Sequence, residues 1–169
     1  MMKNNEESPS DQMFLHQKWL MEAEKTAQAS PEKGGSPHPN VKVGALLVGA
    51  DGKEIARSSN RFARGLDASR EERYEDDCRS FWINCAEQMV LVDALRNRAD
   101  IVGARLYITL DPCAICAGLI VEAGIGSVIV PNHASQGYDK LKEKWKKSIE
   151  IGHSKLSEGG VKVIRVDRP

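Results

Sequence analysis

Residues 103–116 read GARLYITLDPCAIC, and this stretch decides the fold. Its apolar part, residues 104–110, is typical of a buried strand. The pattern then becomes helical over residues 113–123 and stops at Gly124. Cys113 and Cys116 stand at positions i and i+3 of the helix start, so both sulfurs can reach one metal ion. The stretch therefore predicts a strand that leads into a helix whose N-terminus carries two thiolates.

A third cysteine lies upstream in the triplet Cys85-Ala86-Glu87, where a second helix is predicted for residues 84–98. Three thiolates can hold Zn²⁺ and leave its fourth position open for water. Glu87 is badly placed to be the fourth ligand but well placed to move protons of that water. We therefore predict Cys85, Cys113 and Cys116 as zinc ligands and Glu87 as the catalytic residue.

The rest of the chain alternates strand and helix patterns. Strands are predicted for residues 41–48, 54–58, 104–110, 127–131 and 161–166. Further helices are predicted from Ser10 or Asp11 onward, with Phe14 and Met21 on one face, and over residues 139–157. This order indicates an α/β fold, a three-layer α/β/α sandwich with a mixed five-stranded sheet. We expect residues 1–10 to be a flexible N-terminus and residues 11–169 to form a single domain.

Composition excludes several classes of protein. The 169 residues include 24 Lys+Arg and 24 Asp+Glu, so the formal net charge is zero, which argues against a nucleic-acid partner on electrostatic grounds. No apolar run approaches the length of a membrane span, and the N-terminus lacks the apolar segment of a secretory signal. Clustered cysteines without an export signal point to metal rather than disulfides, in the cytoplasm.

Four stretches of the chain resemble the cytidine deaminase-like superfamily of zinc deaminases, and the deoxycytidylate deaminase branch above all. They are PNVKVGA at 39–45, CAE at 85–87, GARLYITLDPCAIC at 103–116, and the segment 117–130 with its EAGI. The resemblance implies that Cys85, Cys113 and Cys116 bind zinc and that Glu87 shuttles protons. One departure is Cys85, since the nucleotide and free-base branches usually carry His there.

The resemblance also implies contacts with a substrate. The side chain of Asn40 would hydrogen-bond the base, and the backbone N–H of Ala86 would contact its carbonyl. From the residues alone, Trp82 is expected either to pack in the core or to form a stacking wall for the ring, and His38 is a candidate for lining the pocket. The polar segment 61–81 interleaves arginines with acidic residues and is either a solvated mixed-charge loop or a site that grips a nucleotide phosphate. Its arginines are Arg61, Arg64, Arg70, Arg73 and Arg79, and Arg61 and Arg64 are the first candidates for that contact.

The expected activity is hydrolytic deamination of a cytosine ring in a nucleotide or nucleoside. Zinc lowers the pKa of a bound water, so that hydroxide attacks the amine-bearing carbon while Glu87 shuttles protons. Alternatives are the same chemistry on guanine, another base analogue or adenosine in tRNA. A closed four-cysteine zinc module that also uses Cys78 is a non-catalytic alternative. Members of the superfamily commonly assemble through the helices beside the zinc site, so a homo-oligomer is expected by resemblance.

Overall fold

The computed structural model describes residues 8–75, 78–136 and 138–167. The expected flexible tail lies outside these residues up to position 7. Its last two positions, 9 and 10, already belong to the first helix. None of the helices in the described part combines the length and apolar character that a membrane span requires.

Seven strands and six α-helices follow one another in this part of the chain. In chain order they are α1 (Pro9–Gln28), β1 (Gly44–Val48), β2 (Glu54–Ser59), β3 (Arg61–Phe62), α2 (Arg79–Trp82), β4 (Ile83–Asn84), α3 (Ala86–Arg96), β5 (Arg105–Ile108), α4 (Ala114–Glu122), β6 (Ser127–Pro131), α5 (His133–Gln136), α6 (Glu143–Glu158) and β7 (Lys162–Val166). Short 3₁₀ turns lie at Pro31–Lys33, Glu71–Tyr74 and Tyr138–Lys140.

Five strands form one mixed sheet in the order β2-β1-β5-β6-β7. β1 pairs antiparallel with both β2 and β5, whereas β5, β6 and β7 are parallel. The two parallel connections pass through α4 and α6, as crossover connections require. β3 and β4 form a separate two-stranded ribbon. The predicted α/β class and mixed five-stranded sheet are confirmed.

Helices cover both faces of this sheet, which makes three layers. On one face α1 packs through Leu20 and Ala23 against buried residues that include Leu46, Tyr107 and Ile129. On the other face α3, α4 and α6 cover a larger core that includes Leu47, Leu106, Val128, Val90, Ile120 and Leu156. Successive strand residues point to opposite faces of the sheet, and helices cover both faces. β1 is therefore buried along its whole length.

The first helix differs from its prediction in start and in orientation. It begins at Pro9 rather than after Ser10 or Asp11, because Ser8 is the N-cap and its hydroxyl accepts from the Asp11 backbone N–H at 3.2 Å. Phe14 is 70% exposed and Met21 is 44% exposed. The buried face instead carries His16, Leu20, Ala23, Thr26 and Ala27. The small residues Ala23 and Ala27 on this face allow the helix to lie close to β1. A Cβ on Gly44 would meet the Ala23 carbonyl oxygen at 1.9 Å.

Two other boundaries shift. α3 is shorter than predicted because Cys85 is its N-cap, and its side chains Val92 and Leu95 are exposed while Val90 is buried. The helix predicted over 139–157 begins only at Glu143, after a 3₁₀ turn. The short helix α5 was not predicted.

Candidate metal centre and active site

Three of the four cysteines converge where α3 and α4 begin. Cys85 is the N-cap of α3, Cys113 is the N-cap of α4, and Cys116 lies in the first turn of α4. Their Sγ atoms all lie within 4.8 Å of one another. The Cys113 sulfur accepts the Cys116 backbone N–H at 3.5 Å. The helix N-termini thus face the sulfurs with free N–H groups, which favour thiolates.

Hydrogen bonds between the sulfurs couple the ionisation of the three thiols. Hydrogen bonds from Cys116 and Cys85 lower the pKa of the Cys113 thiol well below its usual range. The same bond to Cys113 raises the pKa values of Cys85 and Cys116. One thiol of the cluster therefore ionises more readily than the other two, and a cation held between the sulfurs would favour the thiolate form of all three. Three sulfurs at this spacing fit Zn²⁺, which favours soft ligands in tetrahedral geometry.

Glu87 is 4% exposed and lies two residues after Cys85, in the first turn of α3. Burial raises the pKa of this carboxyl to about 8, and negative charge at Cys113 adds to the rise. Both forms of the carboxyl are thus accessible near neutral pH. A group of this kind can accept and return a proton during a reaction.

A cavity of about 350 Å³ opens beside the cluster. Cys85, Glu87 and Cys113 form part of its wall, and so does Ala86. Other lining residues come from several parts of the chain: Val43, Asn60, Arg79, Ile83, Asn84, Gln88, Leu110, Trp145, Ser148 and Ile149. The volume is in the range of small-molecule sites, and apolar walls with a few polar groups are typical of them.

The structure therefore brings together the three predicted zinc ligands, Glu87 and Ala86. Cys78 lies outside the sulfur cluster, and its thiol donates to the Glu72 carbonyl at 3.0 Å. No four-cysteine site is formed within residues 8–75, 78–136 and 138–167.

The other predicted substrate contacts do not line the cavity. His38 is buried, and its Nδ1 accepts the backbone N–H groups of Asn40 and Val41 at 3.0 and 2.8 Å. That turn leaves the Asn40 side chain exposed and away from the cavity wall. The Trp82 ring instead lies under Arg73, whose guanidinium carbon is 4.1 Å from the centroid of that ring.

Arg61 and Arg64 both turn toward Asp93 of α3. The Arg61 guanidinium lies 2.9 Å from the carboxylate, and that of Arg64 lies at 3.5 Å. This shared ion pair keeps both side chains off the cavity wall.

Asn60 and Trp145 line the cavity but were not among the predicted site residues, and Arg79 was predicted only as one of several arginines in the polar segment 61–81. Asn60 follows β2, and its side chain bridges two backbone groups: its oxygen accepts from Val43 N–H at 2.8 Å and its amide donates to the Val41 carbonyl at 2.9 Å. Arg79 and Trp145 both line the cavity, and the Arg79 guanidinium lies over the Trp145 ring, 5.7 Å from the ring centroid. Asn60 lies two residues beyond the predicted strand 54–58, and a polar residue just after a strand was a usable signal; no local pattern marks Trp145.

Helix α6 presses against the turn that carries Cys113. The Ser148 hydroxyl accepts the Ala114 backbone N–H at 3.1 Å, and Lys155 Nζ donates to the Ala114 carbonyl at 2.9 Å. A Cβ on Gly152 would meet the Pro112 carbonyl oxygen at 2.7 Å. The absence of a side chain at Gly152 thus allows α6 to lie directly on the metal-binding turn.

Asp111 ties the same turn to α6 and to β7. Its buried carboxylate lies 2.6 Å from His153 Nε2 and 2.8 Å from the Arg165 guanidinium. Burial opposes ionisation, but these two partners outweigh it and lower the pKa of Asp111 to about 2. His133 lies near the same carboxylate at 3.4 Å. Because Arg165 donates hydrogen bonds to both oxygens of the Asp111 carboxylate, we interpret Asp111, His133 and His153 as part of an ion-pair network rather than as a second metal site.

Comparison with known proteins gives this geometry a context. The sequence profile described as "Cytidine and deoxycytidylate deaminase zinc-binding region" matches residues 15–132. A deoxycytidylate deaminase of Homo sapiens is 31% identical over 99 residues, which are 56% of this chain and 54% of that protein. A tRNA-specific adenosine deaminase of Bacillus subtilis is 34% identical over 113 residues, 66% of this chain and 58% of that protein. The chain thus spans about half the length of the curated relatives it matches.

Solved structures agree on the fold. The dCMP deaminase from the cyanophage S-TIM5, in complex with dCMP and dUMP, superposes with a TM-score of 0.67 at 21% identity, over 95% of this chain and 99% of that one. A deaminase/reductase from Thermotoga maritima superposes with a TM-score of 0.58 at 26% identity, over 91% of this chain and 37% of that one. The profile match covers well over half of this chain and names the zinc-binding region, which supports the predicted cofactor. The chain therefore belongs to the cytidine and deoxycytidylate deaminase zinc-binding family.

Proposed function

We propose that this protein is a zinc-dependent hydrolytic deaminase that acts on a cytosine-containing nucleotide or nucleoside. One observation carries the proposal: the buried Glu87 carboxyl lines the same cavity as Cys85 and Cys113, whose sulfurs lie within 4.8 Å of each other and of the Cys116 sulfur. Cys85, Cys113 and Cys116 would hold the metal. When bound, Zn²⁺ supplies a Lewis acid that makes water nucleophilic near neutral pH.

The chain's own residues account for the proton transfers and for orientation of the ring. Glu87 accepts a proton from the attacking water and delivers it to the ring nitrogen next to the attacked carbon. It then takes the proton of the hydroxyl group now on that carbon and gives it to the amine, which leaves as ammonia while the carbonyl forms. The backbone N–H of Ala86 lies at the first position of α3, where it has no partner within the helix. It is therefore available to a carbonyl of the bound base.

The cytosine assignment draws on the relatives. Several of them are deoxycytidylate deaminases, and the cyanophage structure contains dCMP and dUMP. The Bacillus subtilis relative favours adenosine in tRNA as a second candidate. The zero formal net charge makes an extended RNA interface the less favoured of the two.

A substrate panel tests this proposal. Ammonia release by the zinc-loaded protein is measured with cytosine, cytidine, deoxycytidine, their monophosphates, guanine, and adenosine within a tRNA anticodon stem. Turnover of a cytosine compound supports the proposal. Turnover of guanine or adenosine alone would keep the chemistry and overturn the substrate, and silence across the panel with zinc bound would contradict the proposed activity.

Arg79 is the proposed phosphate contact, in place of Arg61 and Arg64. It is the one Arg or Lys among the described residues that line the cavity. A guanidinium can bind a phosphate through two parallel hydrogen bonds. Replacement Arg79→Ala is expected to raise KM for dCMP by ~10-fold or more and to leave deoxycytidine turnover nearly unchanged.

Arg64→Ala is the matched control, because Arg64 is exposed and bound to Asp93 outside the cavity. It should leave the preference for the phosphorylated substrate intact. An Arg79→Ala enzyme that still prefers dCMP over deoxycytidine would refute this assignment.

We further propose that the protein forms a homo-oligomer in the cytoplasm, where the thiols of the cluster stay reduced. Apolar side chains on the neighbouring helices α3 and α4 are exposed: Val92, Leu95, Ile115 and Leu119. Ile115 is 68% exposed and also lines the cavity. Such a patch beside a cavity is typical of an interaction surface.

Replacement Leu119→Glu is expected to shift the assembly toward monomer, because it places a charge within the apolar patch. Light scattering coupled to size-exclusion chromatography measures the mass. Val102→Glu is the control, since Val102 is 75% exposed but lies in the loop before β5. A wild-type protein that is already monomeric would contradict the proposed assembly.

A further inference from the structure

A second cavity of about 350 Å³ lies between α1 and the sheet, on the face opposite the zinc cluster. Its floor is a row of polar residues on three adjacent parallel strands. Arg105 pairs in register with Ser127, which pairs with Lys162. All three point to the α1 face, because Tyr107, Ile129 and Ile164, two positions further along each strand, pack in the α1 core.

The spacing of this row suits a bound anion. Neighbouring strands are ~4.8 Å apart, so the two cationic residues flank Ser127 at roughly 10 Å between their Cα atoms. Both side chains are long enough to reach inward over the short serine. Like charges this close repel each other unless an anion lies between them.

The surroundings of the row offer donors and lack carboxylates. Gln12 and His16 of α1 add polar groups to the lining, whose other members are Leu15, Gly126 and Ile164, and no Asp or Glu is among the lining residues that the structure describes. The Arg105 guanidinium makes one weak contact, with the Gly49 carbonyl at 3.3 Å. Neither Arg105 nor Lys162 forms an ion pair within the described ranges, whereas Arg57, Arg61 and Arg165 all do.

The lowered pKa of His16 indicates a positive electrostatic potential in this cavity. Its Nδ1 lies 3.0 Å from the hydroxyl of buried Tyr107, whose pKa is raised to about 12 by burial, so that phenol stays protonated. Burial lowers the pKa of His16, and the charges of Arg105 and Lys162 lower it further. Both cations are therefore close enough to act on the same ring.

We propose that this cavity is a binding site for a phosphate group, held by Arg105 and Lys162 with the hydroxyl of Ser127 and the amide of Gln12. Two cations and two neutral donors match a compact dianion with several acceptor oxygens. The phosphate can be free or part of a phosphomonoester, since the cavity is larger than one phosphate group needs. The site is separate from the zinc cavity, which lies on the opposite face and shares none of its lining residues.

The experiment titrates the zinc-loaded protein with inorganic phosphate and, separately, with ribose 5-phosphate, at constant ionic strength set with chloride. Binding is measured by calorimetry, and the pKa of His16 is followed by NMR of the four histidine rings. A bound dianion favours the imidazolium, so the pKa of His16 should rise toward the ordinary 6.5. Tighter binding of ribose 5-phosphate would identify a phosphomonoester site; equal affinities would identify a phosphate site.

Variants locate the binding. Lys162→Gln is expected to weaken phosphate binding by ~10-fold or more, and Arg105→Gln likewise. Lys162 is exposed, so its replacement should not impair folding even if that of half-buried Arg105 does. Lys147→Gln, at an exposed position on α6, is the matched charge control, and Arg79→Ala should leave the His16 response in place.

The inference is overturned if neither compound changes the pKa of His16, or if Lys162→Gln binds phosphate as tightly as the wild type. Both readouts are independent of turnover. A failure of the proposed deaminase activity would therefore leave this test unaffected.

Discussion

Replacing Glu87 with Gln is expected to lower kcat by at least ~10³-fold while the protein keeps its zinc. The amide has the shape of the carboxyl but cannot accept a proton from water or return one to the ring and the leaving amine. The three sulfurs that would hold the metal are untouched by the change. Ammonia release gives the rate, and elemental analysis gives the zinc content.

Glu150→Gln is the matched control, because Glu150 is exposed on α6 and lies outside the cavity wall. It should keep full activity. A Glu87→Gln enzyme with more than a tenth of the wild-type rate would exclude Glu87 as the proton carrier. Loss of zinc together with activity would instead indicate that Glu87 maintains the metal site.

Replacing Gly152 with Ala is expected to weaken zinc binding by ~10- to 100-fold, the range seen when groups behind metal ligands are disturbed. The new Cβ would lie 2.7 Å from the Pro112 carbonyl oxygen, so α6 must move away from the turn that carries Cys113. That movement strains two hydrogen bonds: the one that the Ala114 N–H donates to Ser148 and the one that Lys155 donates to the Ala114 carbonyl. Competition with a chromogenic chelator measures the affinity, and the Co²⁺-substituted protein shows any change in thiolate geometry by its absorption.

Gly118→Ala is the matched glycine control, since its Cβ would meet only Lys155 Nζ, at an ordinary 3.6 Å. This variant should therefore bind zinc normally. Because alanine is a better helix former than glycine, its unfolding temperature should be no lower than that of the wild type. If Gly152→Ala keeps the wild-type affinity and Co²⁺ spectrum, α6 does not position the metal-binding turn. A lower unfolding temperature alone would show only a packing role.

Helix α6 lies outside the part of the chain that matches the family profile. The family profile ends at residue 132, yet Trp145, Ser148 and Ile149 of α6 line the cavity. The metal-binding turn is therefore held by a segment outside the region that identifies the family.

The sequence by itself determined the chemistry of the site. Cys85 and Glu87 are two residues apart at one helix start, and Cys113 and Cys116 are three apart at another. Spacings this short translate directly into neighbouring side chains, because helix geometry is the same in every fold. The strand patterns likewise set the sheet, since alternation and apolar runs are properties of each segment alone.

Only the tertiary structure decided which residues surround the site. Arg61 and Arg64 are drawn to Asp93, about 30 positions away, and the His38 ring is committed to its own turn. Arg79 and Trp145 reach the cavity from segments 66 positions apart. The exposed Phe14 shows the same limit, because small residues let α1 approach β1 more closely than large ones. Such contacts depend on how whole elements dock, and the periodicity of a single segment carries no record of that docking.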